Sequence, residues 1–326
     1  MKTSENKIMK ILTWDFTTII VIAPGIFISF QVSSWPDTLL IRHAFNKNCR
    51  RVSEAMEPFL PSGINRLYDL RYMDNDKDAL LDVHFPDSIS TTDDVLPTIA
   101  WIHGGSWISG SKENVANYCK MLAGKGFTVV AINYSVASEY TYPTLVIQAN
   151  AALDYLNRNG TALRSISIAR DFGGAQVAAQ LANIISQPSY TSMPNIKSLL
   201  KREQLRAILL FCGAYDINDI KEVDLNGLYK RFLKTALWAY SGMKNFTTDP
   251  AFPPAFISVG NADPLASQSY AFARKLTRLN IKVDTLFFTT NYTPLLPYEY
   301  QFDFSYPARK MALEEAIAFL SSTLKK

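Results

Sequence analysis

Apolar positions along the chain alternate between two periods. Thr98–His103, Phe127–Asn133, Ser165–Ala169, Arg206–Cys212, Ala255–Val259 and Lys282–Phe288 are short continuous apolar runs, the signature of strands buried on both faces. Lys112–Ala123, Leu145–Asn157, Gly174–Ser186, Gln268–Leu279 and Pro307–Leu324 carry helical spacing between and after them. Strand and helix in regular succession predict an α/β domain with a mostly parallel central sheet flanked by helices. Two earlier runs, Arg66–Tyr72 and Leu80–Phe85, read as strands joined by the acidic turn Asp74-Asn75-Asp76. That turn lacks the glycine and distal glutamate of a calcium loop and reads as a plain turn.

About 40 residues separate Cys212 from Ala255, more than a simple crossover needs. Leu228–Tyr240 is helical in pattern, so 213–254 is expected to be a short helical lid insertion. It would cover the carboxyl ends of the strands, where such sheets bind ligands.

The N-terminal pattern is different. Phe16–Val32 has no charge over 17 residues, roughly 26 Å as a helix, and Lys2, Lys7 and Lys10 precede it. No small-residue cleavage site follows, so a retained N-terminal membrane helix is expected, with secretion after signal cleavage as the alternative. Asp15 and Pro24-Gly25 interrupt the span, and Arg42, Lys47, Arg50 and Arg51 beyond it leave orientation open. The expected organisation is an anchor over 1–34, a helical linker over 35–64 (helical from about Asp37 to Phe59) and an α/β domain over 65–326.

Composition then removes whole classes of function. Of 326 residues, 48% are hydrophobic and 19% charged, enough for a large core and far from a disordered composition. A net charge of +4 with no basic stripe argues against nucleic acid as a partner. Cys49, Cys119 and Cys212 have unrelated spacings, and His43, His84 and His103 lie far apart. No disulfide scaffold, metal site or cofactor is expected.

Four segments carry candidate chemistry. His103-Gly104-Gly105-Ser106-Trp107 follows a buried strand, and its glycines let backbone N–H groups turn inward to stabilise an oxyanion. The stretch from Gly105 to Lys112 misses a phosphate loop, reading G-S-K where G-K-[ST] is needed. Ala169-Arg170-Asp171-Phe172-Gly173-Gly174 joins a strand to a helix rich in small residues, the layout of a nucleophile elbow with Asp171 at its tip. Gly260-Asn261-Ala262-Asp263-Pro264-Leu265 places a carboxylate just past a strand end, where an acid can orient a base. Leu296–Phe302 is an aromatic-rich loop after the last strand.

In this order the segments resemble the α/β-hydrolase fold, in its esterase and lipase group with an H-G-G oxyanion motif. Tyr134–Glu139 with Tyr142-Pro143, Gly213–Asp216 and Tyr240-Ser241-Gly242 are similar to further segments of that group. The resemblance covers about Asn65–Lys326 and implies carboxylic ester hydrolysis. It also implies an oxyanion hole of Gly104, Gly105 and Phe172, with Asp263 as the acid of a triad. The chain departs from the group at the other two triad positions: Asp171 stands where the nucleophilic serine belongs, and Tyr298 where the histidine belongs.

Histidine usage reaches the same point independently. In this fold the base follows the nucleophile in sequence, and no histidine occurs after His103. Asp171 could in principle form an ester with substrate, but its hydrolysis needs a base. A tyrosine with an ordinary pKa near 10 is a poor base at neutral pH. The expected protein is therefore catalytically degenerate and retains a pocket for a small apolar or ester-like ligand. The competing reading is an enzyme of altered chemistry using Asp171 and Tyr298, and a third is a site serving only stability.

Overall fold

The computed structural model describes residues 22–89, 96–159, 165–171, 173–187, 196–216, 235, 248 and 250–324. Its sheet has eight strands: β1 (Ile64–Arg71), β2 (Leu80–Pro86), β3 (Thr98–Ile102), β4 (Thr128–Ile132), β5 (Ile166–Asp171), β6 (Leu205–Phe211), β7 (Ala255–Val259) and β8 (Val283–Phe287). They lie in the order β1-β2-β4-β3-β5-β6-β7-β8. β1 pairs antiparallel with β2 and β2 antiparallel with β4, and the pairings from β4 across to β8 are all parallel. The six continuous apolar runs became the parallel strands because helices cover both their faces.

Alternation within β3 shows the layering. Ala100 and Ile102 join a core with α4 (Thr144–Arg158), α5 (Gly173–Ser186) and α6 (Ala266–Arg278). Ile99 and Trp101 join the opposite core with α2 (Trp35–Met56), α3 (Lys112–Ala123) and α7 (Ala308–Leu324). Trp101 is fully buried there, packed edge-on against Tyr118 and stacked on Phe211. α3 begins where its sequence says it should: Asn114 Oδ1 accepts the Ser111 N–H at 2.8 Å, half of a capping box.

Beside that start, Lys112 is almost wholly buried. Its ammonium meets Asp69, Asp82 and Glu113, each at 2.9 Å, so the β1–β2 edge and α3 close on one charge. The acidic turn is a plain turn: Asn75 takes φ +59°, and Asp76 accepts from the Asp78 N–H and from Gln148.

The expected membrane span, 16–32, falls partly outside the described residues, which begin at 22. A helical stretch, α1, covers 22–32 among the described residues, and α2 starts afresh at Trp35, with Pro36 in its first turn. No described helix is long and apolar enough to cross a membrane. The 35–64 region, expected as a linker, packs on the body through Ile41, Val52 and Met56. The expected lid helix Leu228–Tyr240 lies outside the described residues apart from Thr235.

Candidate functional site

Four strand ends and one helix build the site. β3 runs into His103-Gly104-Gly105-Ser106-Trp107, a tightly wound loop. Gly105 takes φ +105°, and a Cβ there would strike the Ser109 carbonyl, so only glycine fits. Ser106 and Trp107 follow at φ +51° and +65°, an uncommon region for residues with side chains. The surroundings hold this strain in place. Tyr134 donates its hydroxyl to the His103 carbonyl at 2.9 Å and stacks its ring on the imidazole at 4.0 Å. From α2, Arg42 donates to the carbonyls of Ile108 and Ala137, both at 2.6 Å, and pairs with Glu139.

His103 lies beside the site but is no base. Its Nδ1 sits 2.8 Å from the Gly104 carbonyl, so Nδ1 carries the proton and the ring is neutral. Burial pushes its pKa down to about 3.

Asp171 ends β5. It remains in the ladder opposite Phe211 and is not among the residues with positive φ, although Ser106, Trp107, Cys212 and Glu299 around it are. The position read as the tip of a strained elbow is thus ordinary strand at its backbone. The carboxyl is fully buried against Gly104, where a Cβ would fall on its Oδ1. Neither oxygen has a hydrogen-bond partner among the described residues. Burial pushes the Asp171 pKa up to about 7, opposed by the charge of Arg170. The Arg170 guanidinium itself is directed at Tyr134, donating to its hydroxyl at 3.0 Å.

The loop after β8 supplies an unexpected partner. Glu299 takes φ +60°, and its Oε1 lies 3.2 Å from the point where a Gly104 Cβ would stand. The carboxyls of Asp171 and Glu299 therefore meet over one glycine. Burial and then the Asp171 charge push the Glu299 pKa well up. Tyr298 donates its hydroxyl to Glu299 Oε1 at 2.5 Å. Burial and the Glu299 and Asp171 charges also push Tyr298 well above its ordinary pKa, so it serves as a proton donor to a hydrogen bond rather than a base.

Asp263 stands past β7 as expected. Its Oδ1 accepts the Leu265 N–H at 2.8 Å, and its Oδ2 has no hydrogen-bond partner among the described residues. Burial raises its pKa to about 6. The fold thus gathers Gly104, Gly105, Asp171, Asp263 and Tyr298 at the carboxyl ends of the strands. Phe172, the third expected oxyanion donor, lies outside the described residues.

A cavity of about 280 Å³ opens onto this group, lined by His103, Gly104, Asp171, Tyr298 and Glu299. Its outer wall is α2, through Phe45, Asn48, Cys49, Arg51 and Val52, with Arg51 paired to Asp303 at 3.0 Å. Sequence reasoning missed both Glu299 and α2. Glu299 was visible as a carboxylate next to the base position, but only its left-handed backbone turns it inward. Among the described residues, no three His, Cys, Asp or Glu are placed to hold a metal.

The BD-FAE family profile matches residues 81–276, more than half of the chain. The chain belongs to the BD-FAE family. Its fold is the α/β-hydrolase fold of the acetyl-esterase-like carboxylesterase group. Among curated relatives, it is 25% identical to carboxylesterase NlhH of Mycobacterium tuberculosis over 59% of this chain and 64% of that enzyme. It is 25% identical to acetyl esterase of Salmonella paratyphi B over 53% of this chain and 57% of that enzyme. The match thus spans less than two thirds of these relatives' length. Among solved structures, esterase B of Lactobacillus rhamnosis superposes with a TM-score of 0.75 at 18% identity, covering 90% of this chain and 96% of that one. A form of that esterase inhibited by a C4-C4 tributyrin phosphonate gives 0.74 at 17% identity, over 89% and 96% of the two chains. This likeness is one of fold.

Proposed function

We propose that this carboxylesterase-like chain is catalytically degenerate and that its cavity binds a small ligand without hydrolysing it. The observation carrying this reading is the Asp171 carboxyl, buried against Gly104 in the space an oxyanion would need, beside a second carboxyl and no available base. An ester carbonyl entering there would have to displace the Asp171 carboxyl from its place beside Gly104. Asp171 is also poorly placed to act as a nucleophile, since an ester formed on it would await a base that neither Tyr298 nor His103 provides. The test is a short-chain ester assay on the full chain with p-nitrophenyl acetate and butyrate. The expected rate is no higher than that of the Asp263→Asn variant. Turnover typical of an esterase, abolished by Asp171→Asn and by Tyr298→Phe, would replace this reading with an enzyme of altered chemistry.

The N-terminal segment is proposed to tether the protein to a membrane. Ile22, Ile26, Phe27, Ile28 and Val32 of α1, with Trp35, Leu39 and Leu40 of α2, present large exposed apolar side chains. Carbonate-resistant sedimentation with membranes, lost on deletion of 1–34, is the expected result; recovery of a shortened chain in the medium would favour cleavage and secretion.

A further inference from the structure

Two carboxyls that face one cavity call for positive charge. Asp171 is fully buried, lines the cavity, and has no hydrogen-bond donor on either oxygen among the described residues. Glu299, half-buried, lines the same cavity, and its Oε1 already accepts from Tyr298. The remaining walls are mixed, with Phe45, Val52 and Phe302 beside Asn48, Asn114 and Tyr306. At about 280 Å³ the space is at the small end for ligand sites.

We infer that the cavity takes a small organic amine, whose ammonium replaces the proton kept by the Asp171 and Glu299 pair and whose apolar body lies against Phe45, Val52 and Phe302. The inference deepens the binding reading above and rests on it.

Charge and donor count select this class. An ammonium brings three N–H donors to oxygens that lack them. A carboxylate or phosphate ligand would add like charge to the pair, and an alcohol has one donor and no charge. A divalent metal ion would want about six oxygen ligands, and among the described residues no three His, Cys, Asp or Glu are placed to hold one.

Among the described residues, the other ionisable groups facing the pair leave it short of positive charge. His103 is neutral, while Cys49 from α2 and Tyr298 keep their protons because burial raises both. Asp263 adds further negative charge toward Glu299. Arg170 acts on Asp171 from β5 but directs its guanidinium to Tyr134. Arg51, with Asp303, belongs to the exposed outer wall. Binding therefore exchanges one cation for another: the ammonium enters, and a proton leaves to solvent.

The test is calorimetry on the full chain with benzylamine, benzyl alcohol and benzoate. Benzylamine is expected to bind at least ten-fold more tightly than benzyl alcohol, with benzoate weaker than both. Its affinity should rise about ten-fold from pH 6 to pH 8, as the competing proton is lost, with proton release into the buffer greatest at pH 6. Asp171→Asn and Glu299→Gln should each weaken benzylamine at least ten-fold and leave benzyl alcohol within two-fold. The benzyl alcohol measurement shows that each variant is folded. Equal affinity for amine and alcohol, or uptake of calcium or magnesium ions with benzylamine inert, would overturn the ammonium assignment while leaving a binding pocket. Rapid turnover of p-nitrophenyl esters would instead remove the binding reading itself.

Discussion

The carboxyls of Asp171 and Glu299 converge on the one place beside Gly104 that a side chain there would take. A Cβ on Gly104 would coincide with the first and press on the second. Asp171 is fully buried and Glu299 half-buried, and each has its pKa raised. Two like charges so close and so poorly hydrated do not ionise together, so the pair keeps a proton near neutral pH.

A pH dependence of stability follows. Asp171 has a native pKa of about 7 against 3.8 ordinarily, so between these values the native state binds more protons than the unfolded chain. Its contribution is fully present below the unfolded pKa and is lost as pH rises through about 7. Asp171→Asn should therefore stabilise the protein by roughly 2 kcal/mol at pH 8 relative to its effect at pH 5. Thermal melts of both proteins across pH 5–8 check this; a mutational effect constant with pH would contradict the buried pair.

The imidazoles act in the opposite sense. His84 and His103 have native pKa values lowered by burial to about 4 and about 3. Their stabilisation is present above the ordinary histidine pKa and lost as pH falls toward these values. Both nitrogens of His84 are buried without a hydrogen-bond partner among the described residues. His84→Leu should raise the melting temperature, more at pH 5 than at pH 8. Equal shifts at both pH values would show that the ring is not held neutral.

Lys112 offers a test of the edge cluster. Asp82, only 3% exposed, depends on that ammonium for its counter-charge. Lys112→Met should cost about 3–5 kcal/mol, because it leaves a buried carboxylate unpaired. Adding Asp82→Asn should restore part of that loss, which denaturant unfolding of the single and double variants would measure.

Arg42 fastens the cavity's outer wall. Arg42→Ala strips donors from the Ile108 and Ala137 carbonyls and breaks the pair with Glu139. A loss of about 2–3 kcal/mol is expected. Cys49, buried with its thiol pKa raised, should then react with a thiol reagent at least ten-fold faster. Peptide mass mapping separates Cys49 from Cys119 and Cys212; unchanged protection would show that other contacts hold α2.

Asp171→Ser combined with Tyr298→His should not yield an esterase. The pair supplies a serine and a histidine, but residue 171 keeps an ordinary strand backbone instead of the strained turn that presents a nucleophile. Activity toward p-nitrophenyl butyrate is expected to stay at least a thousand-fold below that of an ordinary esterase, and recovery within ten-fold would refute the point.

The sequence by itself determined the parallel sheet, because continuous apolar runs tolerate only a position between two helical layers. It also determined that no histidine follows the elbow, which is a matter of counting. It placed Gly104, Asp171, Asp263 and Tyr298 at strand ends, since motif order maps directly onto strand order in such a sheet. Only the tertiary structure decided how these groups meet. Glu299 enters the site through a left-handed backbone angle that no side-chain pattern encodes. α2 became a wall instead of a linker because Arg42 found carbonyl partners 66 and 95 residues away. The pKa of Asp171 depends on burial and on neighbours brought together from separate loops, so its chemistry exists only in the folded chain.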